Sequence, residues 1–164
     1  MNDDVDLFNG LSTEEAKSRL NSCFANRAWA ARVAAGRPYQ DLSALLASAE
    51  SAWVELQPSD WLEAFAAHPR IGEGGGHSPS SSEREQSQIK QASGDTLAAL
   101  AAENRLYEAR FGHVFLISAS GRSANEMLKA LRQRMLNDPA KELQVAAGEQ
   151  RKIARLRLEQ ILKT

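Results

Sequence analysis

The chain has 164 residues and a formal charge of -1, from 21 acidic and 20 basic residues mixed along its length. That length favours one compact domain with a core large enough to fold alone, and the balanced charge excludes the basic footprint that a polyphosphate backbone demands. The single cysteine, Cys23, excludes an intramolecular disulfide.

No apolar run approaches the roughly 20 residues needed to cross a bilayer. The acidic start MNDDVDLFNG is unlike a signal peptide, and Leu162, Lys163 and Thr164 spell no peroxisomal or retention signal. A cytoplasmic protein without nucleic-acid or membrane partners is expected.

Apolar residues recur at helical spacing almost throughout, whereas the strand period is scarce, so the fold class is predicted to be all-α. Ser12 and Glu15 form a capping-box start, followed by Ala16, Leu20, Cys23 and Phe24 on one face. This helical region, kinked or not, ends near Gly36 and Pro38.

From Leu42, the residues Leu45, Leu46, Ala49, Trp53 and Leu56 continue one stripe, which predicts a core helix. Asp60 is placed to cap a short helix through Trp61, Leu62, Phe65 and Ala66. Pro69 pushes His68 away from helical geometry, so His68 is expected at a helix exit.

Residues 72–82, GEGGGHSPSSS, have the composition of a surface loop. From Ser82 a helical pattern runs to Phe111, with a possible break at Gly94. Leu97, Leu100, Asn104, Tyr107 and Phe111 share one face, and Gly112 stops it.

The apolar run HVFLISAS suits a short helix or an extended buried segment equally. Helices then resume through Met127, Leu128, Leu131 and Met135, and through Ala146, Ile153, Arg157 and Ile161. The reading is a compact helical bundle forming a single domain over 1–164, with one Gly-rich loop and one extended apolar linker.

Three histidines, His68, His77 and His113, are candidate proton carriers, since only this side chain titrates near neutral pH without strong perturbation. None shows the i, i+4 pairing or the cysteine company of a zinc site, so a metal centre has no support in the spacing. On local grounds alone a histidine beside a proline is more often structural.

Ser82 and Glu85 fit a helix cap, and locally that explains both. The same helix start also presents N–H groups and a positive dipole end to an anionic or carbonyl-rich ligand. Arg157, among apolar neighbours in KIARLRL, reads by spacing as a surface arginine with a buried stem, with a substrate clamp as the alternative. No nucleophile elbow, phosphate-cradling loop or dinucleotide fingerprint is present, and the face that carries Cys23 suggests core packing.

AFAAHPRIGE, SEREQ and NRLYEARFGHVFLISASGRSANEML occur in that order. Together with CFANRAW, LRQRMLND and EQRKIARLRLEQIL, they resemble the OHCU decarboxylase family, whose members act on 2-oxo-4-hydroxy-4-carboxy-5-ureidoimidazoline. The resemblance covers most of residues 8–162. It departs from many relatives at SQIKQASG, where they have a small-residue step, and at GEGGG.

The resemblance implies that His68 donates a proton, with Pro69 beside it in the pocket, and that Ser82, Glu85 and Gln86 contact the substrate, Glu85 being the second catalytic candidate. It implies that Phe115 through Ala119, Ile117 included, offer main-chain groups to the ureido-imidazoline ring and that Arg157 holds a carboxylate or ring oxygen. It also implies a small-molecule substrate, a carboxy-lyase yielding (S)-allantoin, and a homodimer; the decarboxylation so implied requires neither a metal nor an organic cofactor. A non-catalytic helical interaction module is the rival expectation, and a metal-dependent hydrolase using His68 and His77 is a more distant one.

Overall fold

The computed structural model describes residues 3–68, 93–118 and 122–162. The Gly-rich loop at 72–82 and the site candidates Pro69, His77, Ser82, Glu85, Gln86 and Ala119 lie outside the described residues.

Among those residues there are eight helices and no strand, as the all-α expectation requires: α1 (Asp3–Asn9), α2 (Thr13–Cys23), α3 (Arg27–Ala35), α4 (Leu42–Val54), α5 (Pro58–Phe65), α6 (Gly94–Phe111), α7 (Ala124–Arg134) and α8 (Pro139–Leu162). None is long and apolar enough to cross a membrane. The chain divides into two compact units, one drawn from Met1–Ala64 and Ile153–Thr164, the other from Phe65–Lys152.

In the first unit, helix starts follow local chemistry. Side-chain oxygens of Ser12, Asn26 and Asp41 accept the N–H groups of Glu15, Trp29 and Ala44, satisfying donors that a helix start leaves open. The kink left open in the sequence is a full break, because Asn26 caps α3 immediately after α2 ends. Helix α1 was not anticipated. Asp60 lies within the first turn of α5, not before it, and its carboxylate reaches back to the Gln57 N–H at 2.9 Å.

Phe24 anchors this core, edge-on to Trp29 at 5.4 Å and tilted against Trp53 at 4.8 Å. Cys23 is fully buried, in keeping with core packing. The stripe that begins in α4 buries Leu45 and Trp53 and leaves Leu42, Leu46, Ala49 and, just past the helix, Leu56 half-buried.

In the second unit, α6 starts at Gly94 behind an Ser93 cap and stops at Gly112, whose φ of 79° is the left-handed geometry that ends a helix at low cost only for glycine. Ser123 and Glu126 close a reciprocal capping box on α7. Leu100, Tyr107, Phe115, Ile117, Met127, Leu128 and Leu131 form one apolar cluster. The run after Gly112 is neither helix nor strand over 114–118, so the helical alternative for it falls.

A buried carboxylate joins these parts. Glu142 of α8 is 0 % exposed, and its oxygens accept from Tyr107 Oη, from Arg134 Nε at 2.8 Å and from Asn137 Nδ2 at 3.0 Å. Arg134 also donates from Nη1 to the Leu116 carbonyl at 2.6 Å and lies over the Phe115 ring at 4.5 Å. Burial, reinforced by the hydrogen bond to Glu142, holds the Tyr107 phenol above its ordinary range.

Glu142→Ala strands the Arg134 charge in the interior and is expected to cost about 3–5 kcal/mol in urea unfolding. Tyr107→Phe is expected to cost about 1–3 kcal/mol. Because the folded-state phenol pKa is raised, the stability linked to it is complete below the ordinary tyrosine pKa and is lost as pH rises above it. Unfolding midpoints measured at neutral and alkaline pH should therefore fall less steeply on the alkaline side in Tyr107→Phe than in the wild type.

Candidate functional site

His68 follows α5 in a turn, half-buried, with its N–H donating to the Phe65 carbonyl at 3.1 Å. The expected helix exit is therefore where this histidine lies. Three residues earlier, the Phe65 ring meets the imidazole of His113 at 5.3 Å. His113 also contacts Tyr107 at 5.6 Å and Phe111 at 6.3 Å, and its Nδ1 lies 3.0 Å from the Val114 carbonyl. This aromatic cluster ties the turn carrying His68 to the beginning of the 114–118 segment.

Phe115, Leu116 and Ile117 are buried, and the rings of Phe115 and Tyr107 meet edge-on at 5.2 Å. Two side chains on neighbouring helices fix the main chain. Arg134 takes the Leu116 carbonyl, and the Glu149 carboxylate takes the Ser118 N–H at 3.2 Å.

A trans peptide points its C=O and N–H in opposite directions. With the Leu116 carbonyl on Arg134, the Ile117 N–H faces away from Arg134. With the Ser118 N–H on Glu149, the Ile117 carbonyl faces away from Glu149. Neither group of Ile117 is hydrogen-bonded to a described residue. One donor and one acceptor on a single anchored residue are what an amide-like or ureide ligand edge requires.

Glu149 is 7 % exposed. Burial alone would raise its pKa, but Lys152, Arg122 and the Ser118 N–H together outweigh burial and hold the carboxyl below its ordinary value. It stays an anion and an acceptor. Two buried amides of the same unit, Asn104 and Gln150, keep polar atoms that are unpaired among the described residues: Nδ2 of the first, Oε1 and Nε2 of the second.

Arg157 belongs to the other unit. At 4 % exposure it is buried as a whole residue, which corrects the spacing-based reading of a surface arginine with only its stem covered. Sequence reasoning missed Glu142, Glu149 and Arg134. The signal was present: Glu142 and Glu149 continue the stripe of Ala146, Ile153 and Arg157 at 142, 146, 149, 153 and 157, and a carboxylate at core spacing must find partners.

The OHCU decarboxylase family profile matches residues 9–159. The uric acid degradation bifunctional protein TTL of Arabidopsis thaliana is 34 % identical over 157 residues, 92 % of this chain, and this chain spans 48 % of that protein's length. The 2-oxo-4-hydroxy-4-carboxy-5-ureidoimidazoline decarboxylase of Halalkalicoccus jeotgali is 25 % identical over 162 residues, covering 96 % of this chain and 90 % of that protein. A crystal structure of an OHCU decarboxylase in the presence of (S)-allantoin superposes with a TM-score of 0.78 at 34 % identity, covering 94 % of this chain and all of the other. By sequence along nearly its whole length and by fold, the chain belongs to the OHCU decarboxylase family.

Proposed function

We propose that this protein decarboxylates 2-oxo-4-hydroxy-4-carboxy-5-ureidoimidazoline to (S)-allantoin in urate breakdown, without a metal or organic cofactor. The observation that carries the reading is the match, across the whole length of the other chain, to an OHCU decarboxylase crystallised in the presence of (S)-allantoin.

In this reading the bond between the ring carbon and its carboxylate breaks and carbon dioxide leaves. The electron pair remains on the ring carbon, delocalised into the adjacent C=N or C=O system. Donors facing the developing charge lower the barrier, which is electrostatic work that a protein does with fixed dipoles. His68 then delivers its proton to that carbon from one face and fixes the handedness of the product.

The main-chain groups of Phe115 through Ala119 read the ureide and imidazoline edges, and the two groups of Ile117 left unpaired among the described residues favour this role. Following the family resemblance, Arg157 holds the substrate carboxylate or a ring oxygen, and Glu85, with Ser82 and Gln86, engages its hydroxyl or ureido side beside Pro69. We place the enzyme in the cytoplasm as a homodimer whose chain acts as a single domain.

Two measurements test this. Circular dichroism of a reaction that generates the substrate in situ from urate is expected to show fast, one-handed accumulation of (S)-allantoin. Slow racemic product, matching spontaneous decay, rejects the reading. His68→Ala is expected to keep its helical spectrum while turnover falls by about 10^2 to 10^4. Near-wild-type turnover in that variant removes His68 from the chemistry.

A further inference from the structure

Glu149 holds more than one end of a bond. Its Oε1 accepts the Ser118 N–H at 3.2 Å and Arg122 Nη1 at 2.8 Å, and its Oε2 accepts Lys152 Nζ at 2.7 Å. Ser118 is the last described residue of the 114–118 segment, and Arg122 lies just ahead of α7. A single oxygen thus fixes the main chain of one and the side chain of the other.

The segment does not need this carboxylate to be held in the fold. Phe115, Leu116 and Ile117 are already buried, and Arg134 already takes the Leu116 carbonyl. A buried charge is also a costly way to add stability, since the desolvation penalty offsets much of the attraction. What Glu149 adds is direction: by holding the Ser118 N–H it sets the plane of the 117–118 peptide, and with it the aim of the Ile117 carbonyl.

We infer that Glu149 is a positioning residue for the reaction, clamping Ser118 and Arg122 so that the Ile117 carbonyl meets an N–H of the ureide substrate. The inference rests on the decarboxylase reading above. It explains why an interior carboxylate is matched to a main-chain N–H as well as to two cations.

The test is steady-state kinetics on Glu149→Gln, Glu149→Ala, Arg122→Ala and the double variants, each at a temperature where it is fully folded. Small misplacements of binding groups are costly, so Glu149→Ala is expected to lower kcat/KM about 10-fold. Glu149→Gln keeps an oxygen for the Ser118 N–H and should recover most of that loss. Arg122→Ala should lose about 3-fold, and its loss should vanish in the Glu149→Ala background, because both changes break one clamp.

A purely structural role would lower the melting temperature and leave kcat and KM of the folded variants alone. Wild-type kinetics in folded Glu149→Ala, or losses that simply multiply in the double variant, overturn the inference. If Glu149→Ala does not fold, Arg122→Ala decides: wild-type kinetics in that variant overturn the inference. A wild-type protein that yields no (S)-allantoin would instead sink the decarboxylase reading. In that case amide exchange at Ser118, faster in Glu149→Ala if the clamp is real, still reports on the clamp itself.

Discussion

The second unit is organised around the demand of one interior charge. Glu142 is fully buried, and an isolated carboxylate in such a place would be prohibitively costly. It is tolerated because three side chains from three places converge on it: Tyr107 from α6, Arg134 from the end of α7, and Asn137 from the turn before α8. Each donor fixes the register of its own element, since sliding α6 or α7 by one residue would carry Tyr107 or Arg134 off the carboxylate. Apolar packing alone is more forgiving of such slips, as Leu100, Met127 and Leu131 would still find apolar neighbours.

The same arginine passes the constraint on to the non-helical segment. Arg134 uses one face of its guanidinium for Glu142, one N–H for the Leu116 carbonyl, and its plane to cover Phe115. A planar five-donor group does all three at once, which a lysine does not. Seven residues after Glu142, two helical turns on, Glu149 meets the Ser118 N–H. The segment is therefore held at alternate main-chain groups by two carboxylate-centred networks on one helix. Its apolar side chains stay in the core, while neither main-chain group of Ile117 is hydrogen-bonded to a described residue.

Much of this was legible in the sequence where local rules act alone. The face of Leu100, Asn104 and Tyr107, the stop at Gly112, the cap at Ser12 and the exit at His68 follow from periodicity and backbone chemistry. Ambiguity began where partners are distant. HVFLISAS has no periodicity to read, and the side chains that bond its described main chain, Arg134 and Glu149, lie 18 and 31 positions from the groups they hold. Arg157 misled for a related reason: a charge in an apolar stripe reads as a surface residue unless the fold gives it company. The two glutamates in that stripe were the overlooked clue, because three charged residues at core spacing on one helix are hard to dismiss as solvated. The family resemblance carried the site assignment that spacing left open.

The electrostatics take two described groups of this unit out of proton delivery near neutral pH. Glu149 is held below the ordinary carboxyl range, so it has no proton to give, and the Tyr107 phenol is held above its own range, so it gives one up only reluctantly. His113 is enclosed by Phe65, Tyr107 and Phe111, with Nδ1 turned to the Val114 carbonyl. His68 is half-buried in a turn with its N–H on the Phe65 carbonyl, and the Phe65–His113 contact links that turn to the start of the 114–118 segment.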